Sequence, residues 1–138
     1  MPGLFTEDTY EQAIIELFEN MGYDHLYAPD MERDYTSPFL DDVLKDSLTR
    51  VNPKLPMEAI DEGISKLRNF DSGSLLQKNA VFMDYLQNGI TVKFFVKGEE
   101  RSSIVHLIDY EKVQKNTFYV VNQFTFLENW KKFQKCLM

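Results

Sequence analysis

The stretch NTFYVVNQFTF (Asn116–Phe126) is the most strand-like run in the chain. β-Branched and aromatic residues dominate it, which suits a pleated, buried segment. Alternation places Phe118, Val120, Asn122, Phe124 and Phe126 on one face, and Tyr119, Val121, Gln123 and Thr125 on the other. A strand apolar on both faces reads as an interior strand covered from each side. Asn122 and Gln123 then require partners, since a buried amide without a hydrogen bond costs about 1–3 kcal/mol. Two readings stay open: the amides satisfy groups of the scaffold, or they line a polar cleft at a sheet edge.

Working back from this strand, ITVKFFV and SIVHLID flank KGEER, a turn with Gly98 at its tip, and read as a hairpin. Before Ile90 the hydrophobic period is helical. Glu7–Met21 carries Tyr10, Ile14, Leu17, Phe18 and Met21 at three- and four-residue spacing, with Thr6 as cap and Gly22 as stop. Ser37–Pro38 reads as a cap followed by proline at the first helical position, opening a stripe of Leu40, Val43, Leu44, Leu48 and Val51. A third helix starts near Pro56 with Ile60, Ile64 and Leu67. In the fourth, Leu75, Leu76, Asn79, Phe82, Met83 and Leu86 face inward and Gly89 ends it. HLYAP (His25–Pro29) reads as a short extended piece. The order of elements gives an α+β class, with helices in the N-terminal two-thirds followed by about three mostly antiparallel strands.

The 138 residues suit one domain able to bury a core. No apolar run approaches the roughly 18 residues a membrane span needs, and MPGLFTEDTY lacks the regions of a signal peptide. A cytoplasmic protein is expected. The charge of −7 is unevenly distributed: residues 1–46 hold twelve acids against Arg33 and Lys45, whereas residues 47–138 hold ten acids against thirteen bases. An acidic first third repels phosphate backbones and is read chiefly as a solvated face.

Few residues have the spacing that chemistry requires. His25 and His106 stand far apart, without a second histidine or cysteine at ligand spacing, and Cys136 is the single cysteine. His106 falls in a strand pattern, where an ordinary half-buried histidine is expected. Neither a Gly-rich phosphate loop nor a GxSxG elbow occurs. Pro29–Asp30 matches the first half of a nuclease metal motif. Such a motif also needs an acid-x-Lys triplet, in which carboxylates hold Mg²⁺ and the lysine assists the attacking water. No Glu-x-Lys or Asp-x-Lys follows Asp30, so Pro29–Asp30 reads as a loop.

Four pieces in order carry a resemblance: YEQAIIELFENMGY (Tyr10–Tyr23), RVNPKLPMEAIDEGISKL (Arg50–Leu67), LLQKNAVFMDYLQNGITV (Leu75–Val92) and HLIDYEKVQKNTFYVVNQFTF (His106–Phe126). Together they resemble the N-terminal nuclease domain of the type I restriction enzyme R subunit, the motor and cleavage subunit. The resemblance implies an incomplete restriction-endonuclease-like (PD-(D/E)XK) fold over residues 1–128, with a divergent tail at 129–138. In that family an Arg-Pro-Asp strand and then an acid-x-Lys strand follow the equivalent of NTFYVVNQFTF, binding Mg²⁺ and cutting DNA. Here the chain continues LENWKKFQKCLM, with no counterpart to those residues, as a fragmentary or frameshifted gene would.

By its place in the motif, only Glu11 is carried over, as an accessory active-site carboxylate; a solvated helix carboxylate or cap is the plain alternative. For the parent the resemblance implies Mg and ATP as cofactors, and DNA with methylation and specificity subunits as partners. The fragment itself is expected to be inactive. An alternative reading is a non-catalytic module docking on those subunits. Without further strands, NTFYVVNQFTF is expected either to self-associate through an exposed edge or to be covered by the tail folding back.

Overall fold

The computed structural model describes residues 6–70, 73–128 and 131–137. The elements are α1 (Glu7–Asn20), β1 (Asp24–Tyr27), α2 (Asp41–Val51), α3 (Met57–Arg68), α4 (Leu75–Asn88), β2 (Ile90–Val96), β3 (Glu99–Val105), β4 (Tyr119–Glu128) and β5 (Lys131–Leu137). Short 3-10 turns lie at Ala28–Asp30 and Val113–Lys115. The α+β class holds. The chain divides into two compact units: the residues up to Leu40 together with those from Phe118 onward, and Asp41–Thr117.

In the first unit β4 is the middle strand of a three-stranded sheet, ordered β1-β4-β5. It pairs in parallel with β1, Asp24 opposite Tyr119 and Tyr27 opposite Asn122. It pairs antiparallel with β5, where Phe126 stands opposite Phe133. A segment near His25 expected only as an extended piece is thus a strand, and its parallel pairing makes this sheet mixed, while the β2–β3 and β4–β5 pairings are antiparallel as expected. Four residues with one apolar pair, Leu26 and Tyr27, carry too weak a period to announce a strand alone; the pairing with β4 creates it. The edges of β4 are covered. Beyond β1, Leu127 N–H donates to Tyr35 O at 2.8 Å, continuing that side, while β5 takes the other. Of the two outcomes expected for this edge, the chain's own tail segment covers it. The adjoining residues 129–130 and 138 of the expected divergent tail lie outside the described residues.

The second unit is built on the β2–β3 hairpin. Its turn is the two residues Lys97 and Gly98, both at positive φ (52° and 80°), the geometry that matches the twist of paired strands. Glu99–Arg101 therefore belong to β3, and His106 lies just past its end rather than within it. Alternation in β2 is clean: Ile90, Val92 and Phe94 are buried and Thr91, Lys93 and Phe95 face out. Against this face lies α3 through Ala59, Ile60, Gly63 and Leu67. Gly63 permits the contact, since a Cβ there would stand 3.3 Å from three side-chain atoms of Val105. Gly89, which ends α4 at φ +82°, would place a Cβ 2.9 Å from the Val105 carbonyl. Leu48 of α2 and Val105 complete the core.

Three helical expectations change. On α1 the inward stripe is Glu11, Ile14, Ile15 and Phe18, while Tyr10, Leu17 and Met21 are more than half exposed. Both sets fit helical spacing, and packing on the sheet selects the one that carries a carboxylate. Helix α2 begins at Asp41, not at Ser37: the Ser37 hydroxyl accepts Phe39 N–H at 3.2 Å, and the Asp34 carboxylate accepts Thr36 N–H, so this stretch closes into local turns. On α4 no residue is buried; Leu75 and Leu76 stand 77% and 80% exposed, and Asn79 is exposed with them. Its N-terminus is nonetheless well made, with a capping box between Ser74 and Gln77.

Candidate functional site

The polar groups of the first unit gather around an irregularity in β4. Between Val121 and Phe124 the strand advances three residues while β5 retreats two, from Leu137 to Lys135, so one residue is extra. Gln123 sits at φ +55°, a left-handed conformation that costs a non-glycine residue about 1 kcal/mol. Such bulges re-aim side chains, and this one turns the Gln123 amide toward α1.

There Gln123 Nε2 donates to Glu11 Oε1 at 2.9 Å. Because Glu11 shares the inward stripe with Ile14, Ile15 and Phe18, its carboxylate is half-buried against the sheet rather than solvated on the outer face. The helix, held by Thr6 accepting Thr9 N–H at 3.2 Å, fixes the carboxylate in place. One residue earlier in β4, Asn122 is 5% exposed. Its Oδ1 accepts from His25 Nε2 at 2.7 Å. That contact follows from register: His25 pairs with Val120, so Asn122 is its diagonal neighbour on the same face of the parallel pair. Asn122 and Gln123 thereby both bond side chains, one an imidazole and one a carboxylate.

Past the bulge, Arg33 lies between two rings, its guanidinium carbon 4.1 Å from the centre of Phe124 and 4.4 Å from that of Tyr35. Nη2 donates to Thr125 O at 2.5 Å. Nε and Nη1 are buried without a hydrogen-bond partner among the described residues. The composition of the loop gave no signal for this arginine; the aromatic flank formed by Phe124 exists only once β4 is in place.

The site therefore contains one positioned carboxylate, an amide that orients it, and a stacked cation. Among the described residues no group of three or more His, Cys, Asp or Glu could hold a metal ion. Pro29–Asp30 forms a 3-10 turn, as the loop reading required. His106 contributes only its backbone: Asn52 Oδ1 accepts its N–H at 2.9 Å, and Asn52 Nδ2 donates to its carbonyl at 2.8 Å. A mixed α+β protein with a single carboxylate set against a bulged central strand is the class that fold and site define.

The family model described as type I restriction enzyme R protein N terminus matches residues 4–135, and the chain belongs to that family. It is 26% identical over 128 residues to the type I restriction enzyme HindI endonuclease subunit of Haemophilus influenzae, covering 87% of this chain and 12% of the relative. It is 29% identical over 120 residues to the putative type I restriction enzyme MjaIXP endonuclease subunit of Methanocaldococcus jannaschii, covering 83% of this chain and again 12% of the relative. The chain thus spans about an eighth of the length of these relatives. No solved structure matches it. Among the described residues no helix is long and apolar enough to cross a membrane.

Proposed function

We propose that this chain is the scaffold portion of a type I R-subunit endonuclease domain of the PD-(D/E)XK kind, cytoplasmic, whose parent cleaves DNA with Mg²⁺ and ATP, and that it is inactive alone. The family match over residues 4–135 carries this reading. In it β4 is the central strand of the nuclease sheet and Glu11 an accessory carboxylate that the bulge at Gln123 orients. The described residues around Glu11 do not fit a Mg²⁺ ion by themselves, because one carboxylate and a carboxamide fall short of the oxygen ligands that ion needs. Nor does the sequence contain a glycine-rich loop to cradle ATP phosphates. No catalytic step is therefore assigned to these residues; their part is to hold the sheet and the carboxylate ready.

Incubation of the purified chain with supercoiled plasmid and Mg²⁺ tests this. No nicking is expected, and nicking that Glu11→Ala abolishes would overturn the assignment of inactivity.

A second reading is favoured by the charge of residues 1–46, twelve acids against two bases. An acidic surface is poor for DNA and suited to a basic protein face, so the chain docks onto the methylation or specificity subunits. Capture by those subunits, beside a salt-dependent DNA-binding assay, separates docking from direct DNA contact.

A further inference from the structure

The second unit contains a cavity of about 430 Å³ lined by Lys66, Asn69, Phe70, Gln77, Lys78, Val81 and Tyr85. The sequence places these residues at the end of α3, just past it, and along one stripe of α4, Gln77, Val81 and Tyr85 at four-residue spacing. Phe70 stacks on Tyr85 with ring centres 6.0 Å apart and planes 23° apart, and meets Phe82 edge-on. The two stacked rings present a flat apolar wall.

Two ammonium groups share the cavity with this wall. Lys66 Nζ donates to Thr91 O at 2.7 Å, which uses one of its three N–H groups and holds it in position. Lys78 N–H donates to Ser74 O within the helix, while its ammonium has no hydrogen-bond or ion-pair partner among the described residues. No carboxylate is among the described residues lining the cavity. Two amides complete the lining with one function each to spare. Asn69 Nδ2 donates to Ser65 O, leaving its Oδ1 to accept. Gln77 Oε1 accepts Ser74 N–H, leaving its Nε2 to donate.

We propose that this cavity binds a nucleoside phosphate, either free or as one unit of a single-stranded nucleic acid. A ligand that is flat, carries a hydrogen-bonding edge and ends in an anion answers all three features at once: the aromatic wall takes the base, the amides its edge and the lysines the phosphate. A base paired and stacked inside duplex DNA keeps its faces and edge occupied, so an unpaired base is the form that meets the rings and amides together. The site is separate from Glu11 and stands or falls independently of the nuclease assignment.

The test uses the full chain with three probes: AMP by calorimetric titration, a fluorescein-labelled ten-nucleotide oligothymidylate by anisotropy, and inorganic phosphate as control. Lys78→Glu and Tyr85→Leu remove the charge and the ring, with circular dichroism to confirm folding; Lys54→Glu controls for general charge. Saturable binding of AMP or of the oligonucleotide is expected, weakened about tenfold by each cavity variant and unchanged by Lys54→Glu. AMP binding identifies a free-nucleotide site, and binding of the oligonucleotide alone identifies a strand site. The absence of saturable binding by both, binding that ignores both cavity variants, or phosphate binding as tight as AMP overturns the proposal.

Discussion

Asn52 and the Asn122–Gln123 pair are amides set into the interiors of two different units, and they are satisfied in opposite ways. Asn52, 6% exposed, makes all its bonds to backbone: it donates to Leu48 O and His106 O and accepts from His106 N–H. It joins the end of α2 to the end of β3, positions the Asn-Pro break, and leaves no side chain oriented for chemistry. Asn122 and Gln123 instead bond side chains, His25 and Glu11. Backbone partners make an amide part of the fold. Titratable side-chain partners make it a device for holding reactive groups in one rotamer, and here the strand bulges to reach them.

The comparison breaks first at Asn52. Asn52→Ala removes a buried side chain together with its three bonds to Leu48 and His106, and a loss of about 3 kcal/mol is expected in urea unfolding. A loss no greater than that of an exposed asparagine such as Asn79→Ala would show the clamp to be idle. Next comes His25→Ala, which strands the buried Asn122 oxygen and is expected to cost about 2 kcal/mol. The double change His25→Leu with Asn122→Leu should recover part of that loss, because neither polar group then remains unpaired.

Gln123 gives the sharpest discrimination at smaller amplitude. Gln123→Ala retains the left-handed strain and loses the Glu11 bond, for an expected cost of about 1 kcal/mol. Gln123→Gly loses the same bond but relieves the strain, so its stability should stay close to the parent. Equal losses in the two variants would mean that the bulge is not strained at Gln123.

The smallest effect is a pH dependence in the second unit. Asp109 accepts N–H groups of Lys112 and Glu111 at 2.8 and 3.0 Å. The Lys112 backbone bond is the main cause holding its carboxyl below the ordinary aspartate value, with the Glu111 bond and the Lys115 and Lys112 charges adding to it. A depressed folded-state pKa means stability present above the unfolded value and lost as pH falls through the folded one. Asp109→Asn should flatten the acid limb of the stability profile below about pH 4 by lowering stability slightly at neutral pH, with the two proteins converging at low pH where the aspartate is protonated. An unaltered limb would remove Asp109 from the account.

Much of the fold was legible because it is locally determined. The alternation of ITVKFFV, the glycines at 89 and 98, and the capping residue Thr6 each act within a few residues of their own position. The first strand was not legible, because Asp24–Tyr27 is too short to carry a period and becomes a strand only beside β4. The inward face of α1 was misread for a related reason: two stripes share Ile14 and Phe18, and hydrophobicity favours the one that the sheet leaves exposed. At the candidate site, Glu11 was named from its place in a motif, whereas Gln123 as its partner and Arg33 between two rings depend on contacts across 112 and 92 residues of sequence respectively.

The sequence by itself determined the α+β order, the hairpin, the ends of α1 and α4 at Gly22 and Gly89, and the family, all of them properties of neighbours along the chain. Only the tertiary structure decided that β4 is a central strand with a bulge, that its two amides hold Glu11 and His25, and that two rings and two lysines enclose a cavity. Those depend on which surfaces meet, and periodicity records how much apolar surface an element carries but not what it packs against.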